Sequence, residues 1–221
     1  RMTPLALASA NGHLEVVRLL VGAGAKIELP DRKGQTALHH SAKMGHSDVV
    51  EFLARSSDPN IRDRFKWTPL MTASSMDHVD VIKRLMGCGT SEDGKPACDI
   101  DARNGSGSTA LMIAAERCNF DAIRCLFHCG ADTDVENIEK QSVFHIIAGK
   151  RSIPEDIFGL ILSKISYANA HISEVIPRNS NSPADHYATL VRTLMPLYIG
   201  RATKDPAFCR EMERDVSNIL A

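Results

Sequence analysis

The chain has 221 residues, of which 43% are apolar, 24% charged and 5% aromatic, and its formal net charge is −1. That balance excludes a disordered chain and calls for an aliphatic, Ala-rich core. It gives no electrostatic drive toward nucleic acid or an anionic membrane surface, and no apolar run reaches the roughly 18 residues of a membrane span. No secretory leader pattern is visible.

The first stretch, "TPLALASANGHLEVVRLL" at 3–20, returns three times: "TALHHSAKMGHSDVVEFL" from Thr36, "TPLMTASSMDHVDVIKRL" from Thr68 and "TALMIAAERCNFDAIRCL" from Thr109. A fainter copy, "SVFHIIA", starts at Ser142. The starts are separated by 33, 32, 41 and 33 residues. A period near 33 decides the architecture before any local reading does. Within each copy the apolar residues fall at helical spacing in two short runs. In the second copy these are Leu38, Ser41 and Ala42, then Val49, Val50 and Leu53. Gly45 separates them as a left-handed helix stop, and "GAGA" at 22–25 and "CGAD" at 129–132 end second helices in the same way. A turn-rich segment then leads to the next Thr, so each unit reads as helix, turn, helix, hairpin. One such unit cannot bury its own apolar face. Stacking buries it, with Ala8, Ala42, Ala73, Ala114 and Ala115 small enough for close helix approach.

These phrases resemble the ankyrin repeat, whose signature is T-P-L-H-x-A. The likeness covers about 2–165 and is strongest in the first two units. In the third, Lys66 and Asp77 stand where Gly is usual; in the fourth, Cys118-Asn119 replaces Gly-His; in the fifth only 142–148 match well, with Pro154 opening the second helix. The resemblance implies an all-α ankyrin-repeat solenoid with units near 2–30, 31–62, 63–102, 103–136 and 137–165. It also implies that the signature histidines, His39 and His145, bond across the hairpin turns. Thr36 is expected to cap its helix by accepting from a backbone N–H. The first unit has an internal character (Leu5, Leu7, Leu14, Val17, Leu20), so further repeats or domains are expected outside this chain.

The longer third spacing comes from "TSEDGKPAC" at 90–98, which reads as a surface loop. Beyond 165 the period is lost. Tyr187, Leu190, Val191, Leu194 and Met195 predict one helix, and Asp205-Pro206 opens another with a stripe of Phe208, Met212, Val216, Ile219 and Leu220. The segment 166–221 is expected either to cap the array or to dock a partner.

No catalytic signature occurs: no GxSxG, P-loop, HExxH or kinase motif. "GSGS" at 105–108 lacks a preceding apolar strand and falls at a hairpin tip. Cys118, Cys125 and Cys129 lack zinc-site spacing and are expected to be small buried side chains; the six cysteines read as reduced thiols of an intracellular, cytoplasmic or nuclear protein. No metal or cofactor is expected. Asn60 fits a turn role, although the family is known for hydroxylation at such an Asn.

What remains is surface. In ankyrin-like arrays the hairpin tips and first helices line a groove. Here they offer Arg32, Lys33, Arg64, Phe65, Lys66 and Trp67 at the tips, and His40, Met44, Thr72, Met76, Ile113, Glu116 and Arg117 on the helices. Trp67 is the single Trp of the chain. Exposed Trp, Phe and Arg together are what binding hot spots use, and Met44 with Met76 offers an adaptable apolar strip. The reading is a non-catalytic scaffold or adaptor that binds a peptide with acidic and apolar side chains. Two alternatives stay open: the regulatory or substrate-recognising part of a larger enzyme, channel or ubiquitin ligase, and a nucleotide-like small-ligand site around Trp67.

Overall fold

A computed structural model describes residues 2–87 and 98–148, and beyond them 150, 154, 156, 157 and 160. Among the described residues all regular structure is helical. Helices pair off in the expected register: α1 (Pro4–Ala10) with α2 (Leu14–Gly22), α3 (Ala37–Met44) with α4 (Ser47–Ala54), α5 (Pro69–Ser75) with α6 (Val79–Gly87), and α7 (Ala110–Arg117) with α8 (Phe120–His128). α9 (Val143–Ala148) follows at the fifth signature. The chain divides into two compact units, Arg1–Ile146 and Ile147–Ala221. In the second, Asp156, Ile157 and Leu160 are helical just after Pro154, and Ile157 is buried. The 90–97 part of the expected insertion and the expected helices beyond 165 lie outside the described residues. Cys98, which ends that insertion, is buried.

In the first unit the helices form two layers. First helices stack on first helices (α1 on α3, α3 on α5, α5 on α7), and second helices on second helices. The interior is aliphatic: Leu38, Val50, Leu53, Leu70, Ile82, Leu85, Leu111, Ile123 and Leu126 are fully buried. The five small residues singled out for close approach are buried as expected. Thr3, Thr68 and Thr109 cap their helices by accepting from the N–H of Ala6, Met71 and Met112. Each second helix carries one acid in its first turn, Glu15, Asp48, Asp80 and Asp121, where the helix dipole favours negative charge.

Side chains tie each layer to the one before. His46 donates from Nε2 to the Ala10 carbonyl (3.0 Å), and His78 to the Lys43 carbonyl (3.0 Å). Gly12 and Gly45, in left-handed turns at φ 72° and 79°, lie under those rings: a Cβ would come within 2.5 Å of His46 and 2.9 Å of His78. At the next junction both partners change. Asp77 holds the left-handed turn at φ 59°, and the following His becomes Asn119, which donates to the Ser74 carbonyl at 2.8 Å. Asp77 Oδ1 accepts from the Ala122 N–H in the first turn of α8 (2.8 Å). The smaller amide leaves room for a Cβ where a ring would not.

A parallel ladder runs along the hairpin approaches. Glu28, Asn60 and Asp101, each eight residues before a signature Thr, accept from the N–H of Asp58, Asp99 and Asp132 in the following unit (3.1, 2.7 and 2.9 Å). Asn60 thus has a structural bond of the kind its position calls for.

The α1–α2 pair differs from its successors in exposure. Val16 is 45% exposed, whereas Val49, Val81 and Ala122 at the same place in later units are at 1% or less. Leu7 and Leu19 are exposed as well.

Candidate functional site: the hairpin tips

Each hairpin is built around one short polar residue placed five before the signature Thr or Ser: Asp31, Asp63, Asn104 and Asn137. Asp31 Oδ1 accepts from the N–H of Lys33 and Gln35 (2.7 and 2.9 Å), Asp63 Oδ1 from Phe65 and Trp67 (2.8 and 2.9 Å), and Asn104 Oδ1 from Ser106 and Ser108 (both 2.9 Å). Asn137 Oδ1 accepts from Gln141 at 2.9 Å. These turn-closing residues escape a reading focused on the signature itself, but their fixed offset from it is visible in the sequence. The residue three later is left-handed in every unit: Gly34, Lys66, Gly107 and Lys140, with φ between 59° and 81°. The two residues in between are thereby carried to the tip. They are Arg32-Lys33, Arg64-Phe65, Gly105-Ser106 and Ile138-Glu139.

Tips are locked to each other through the backbone. Arg64 N–H donates to Lys33 O (3.1 Å), Gly105 N–H to Phe65 O (3.0 Å) and Ile138 N–H to Ser106 O (3.0 Å). His39 fixes the third unit's tip from inside. Its Nδ1 accepts from the Thr36 N–H (3.3 Å) and lies 3.1 Å from the Thr36 hydroxyl, so Nε2 carries the proton and donates to the Trp67 carbonyl at 3.0 Å. This is the cross-hairpin bond expected of the signature His. The Thr36 hydroxyl is turned to that imidazole. Burial pushes the His39 imidazole below its usual range, against the bond to Trp67 and the charge of Asp63. His145 repeats the local half of the arrangement, accepting at Nδ1 from Ser142 N–H at 3.1 Å.

Between the tips of the third and fourth repeat units lies an open cavity of about 380 Å³. Arg64, Phe65, Lys66 and Trp67 line one side and Asn104, Gly105 and Ser106 the other. Phe65 is 66% exposed, and Trp67 is half-buried. Among the described residues neither Arg64 nor Lys66 meets a carboxylate, and the Trp67 indole N–H has no acceptor.

Four expected binding residues therefore converge and the others lie apart. Arg32 and Lys33 are exposed on the preceding tip. Met44 and Met76 are exposed (55% and 41%) at the far ends of α3 and α5, and Glu116 and Arg117 are exposed at the end of α7. His40 is half-buried with Nε2 3.1 Å from Asp31 Oδ2. Burial alone would raise the Asp31 carboxyl, but the N–H groups of Gln35 and Lys33, with His40, outweigh it and hold the carboxyl below its usual range. Thr72 and Ile113 are corrections. Both are buried (5% and 2%), because the stack closes over that part of the first helices.

The cysteines need a correction too. Cys98 is buried, but Cys118 and Cys129 are exposed and Cys125 is half-buried. Burial, with Cys129 alongside, pushes the Cys125 thiol up to about 11, which leaves it protonated and unreactive at neutral pH. Among the described residues no cluster of three or more His, Cys, Asp or Glu side chains is arranged to hold a metal ion, and no helix is long and apolar enough to cross a membrane.

The period, the paired helices and the locked tips define a stacked-repeat solenoid. The family model for ankyrin repeats matches residues 1–63 and 55–137, and the chain belongs to that family. It is similar to transient receptor potential cation channel subfamily A member 1 of Drosophila melanogaster, with 27% identity over 65% of this chain and 12% of the channel. It is similar to neurogenic locus notch homolog protein 1 of Mus musculus, with 31% identity over 68% of this chain and 6% of that protein. It is also similar to ankyrin repeat domain-containing protein 63 of Mus musculus, with 33% identity over half of this chain and 27% of the relative. The chain thus spans only a small part of the relatives it matches. Ankyrin repeats are protein-interaction modules and are generally non-catalytic.

Proposed function

We propose that this array is a non-catalytic scaffold or adaptor segment that binds a partner peptide at the hairpin tips of its third and fourth units. The observation that carries the reading is the cavity in which Arg64, Phe65, Lys66 and Trp67 converge on a rigid, backbone-locked loop. Aromatic and Arg side chains on a preorganised frame bind with little ordering cost. Two cations that meet no carboxylate among the described residues, beside exposed Phe and half-exposed Trp, favour a peptide that offers an acid and an apolar side chain. The reading that the chain serves a larger protein, in a regulatory or recognition role, is supported by the length of the relatives. The open face of α1–α2, where Val16 lacks the cover that Val49 has, fits continuation of the stack by a further repeat.

Affinity capture from extract tests the reading. Partners held by the wild-type chain should be lost by the Trp67→Ala/Arg64→Ala double variant, with a weakening of about 2 kcal/mol or more for hot-spot residues. Unchanged capture by a folded double variant refutes the site. Saturable thermal stabilisation by a nucleotide would instead favour a small-ligand site at the same place.

A further inference from the structure

The four tips share one backbone geometry but not one bulk. At the two tip positions the units carry Arg32-Lys33, Arg64-Phe65, Gly105-Ser106 and Ile138-Glu139. Only the fourth unit's pair is nearly without side chain. A Cβ at Gly105 would come within 3.2 Å of the Phe65 carbonyl oxygen, a close approach, but no left-handed backbone demands glycine there. Gly105 is not among the left-handed glycines, and at its place the other units carry Arg32, Arg64 and Ile138. The tip ladder crosses it like any other, through Gly105 N–H on Phe65 O. The effect is steric: the cavity opens beside Phe65 and Trp67 because the neighbouring tip contributes no bulk. Ile138, 70% exposed, resumes full size on the next tip.

We propose that the missing bulk at Gly105-Ser106 is a specificity-determining notch. It admits one large apolar side chain of a partner peptide against Phe65 and Trp67, while Arg64 and Lys66 engage an Asp or Glu within one or two residues of it. This rests on the tip-binding reading above and adds what the partner must carry and which residues select it. A side chain entering the notch covers apolar surface that Phe65 now presents to water, and the flanking cations meet a counter-charge at an exposed edge, where it steers more than it holds.

Selection of a phage-displayed random peptide library on the intact chain tests this. Enriched sequences should pair a bulky apolar residue with a nearby acid, and the synthetic peptide should shift the fluorescence of Trp67, the only Trp. Ser106→Phe gives the fourth unit the residue that the third carries at the same place, so the fold should accept it. It should weaken the peptide by at least about tenfold, as blocking a hot-spot pocket does. Ser106→Lys, which copies Lys33 at the same place in the second unit, is the second filling variant should the first misfold. Enrichment of peptides without the apolar–acid pair overturns the proposal, as does full affinity in a folded filling variant. If filling is harmless while Trp67→Ala/Arg64→Ala abolishes binding, the tip site stands and the notch falls. Insensitivity to all these changes overturns both.

Discussion

Replacing Asn119 by His would restore at the third junction the residue found at the first two, yet it should destabilise the protein. At those earlier junctions the ring covers Gly12 or Gly45, and a Cβ there would sit 2.5 or 2.9 Å from it. Asp77 has that Cβ. The new ring must therefore displace it or tilt away, an overpacking cost of about 1–3 kcal/mol, and the Asn119 bond to Ser74 O, worth about 1 kcal/mol, is lost as well. Asp77→Gly alone should be close to neutral. It releases a left-handed non-Gly residue, a gain of about 1 kcal/mol, and removes the carboxylate on the Ala122 N–H, a loss of about the same size. Combined with Asp77→Gly, the His can settle over Gly as it does elsewhere. The double-mutant cycle should show a favourable coupling of about 1.5–3 kcal/mol. Urea unfolding followed by Trp67 fluorescence measures all four species. Additivity within about 0.5 kcal/mol would show that the two substitutions are independent and that the steric account of the junction is wrong.

Three further outcomes follow from the packing and the buried groups. Val49→Ala should cost about 2 kcal/mol, while Val16→Ala at the equivalent but 45% exposed place should cost well under 1 kcal/mol, as read from urea midpoints. Ser9→Ala should raise the melting temperature by a gain of about 1 kcal/mol, because the buried Ser9 hydroxyl has no partner among the described residues and the second unit already has Ala42 there. Acidification should weaken the fold as pH drops through about 6.5: the unfolded chain protonates His39 at its ordinary value, the folded chain holds it neutral at a lower one, and a proton on Nδ1 would forfeit the bond from the Thr36 N–H. A His39→Gln variant, scanned by calorimetry from pH 7.5 to about pH 5.5, should lose part of that slope.

Much of the fold was legible because it is periodic. The Thr spacing and the i, i+3, i+4 runs locate four helix pairs, and the departures from Gly at Lys66, Asp77 and Cys118 mark three of the four left-handed non-Gly positions among the described residues. The site was legible in part. Arg64, Phe65, Lys66 and Trp67 stand out by type, but that they share a cavity with Gly105 and Ser106 depends on stacking between units 41 residues apart. Periodicity also misled at Thr72 and Ile113. A helical face names the direction of a side chain within its own unit and not what the neighbouring units lay over it. The turn-closing Asp31, Asp63, Asn104 and Asn137 were within reach of the same spacing but carry no mark of their own, since a polar residue in a turn-rich segment is ordinary.

Chemical-shift mapping on the labelled chain with a selected acidic–apolar peptide tests the binding account most directly. The expected result is a cluster of shifted signals at Phe65, Lys66, Trp67 with its indole N–H, Gly105 and Ser106, with the second helices α2, α4 and α6 unmoved. Shifts centred on those outer helices with the tips silent would contradict it.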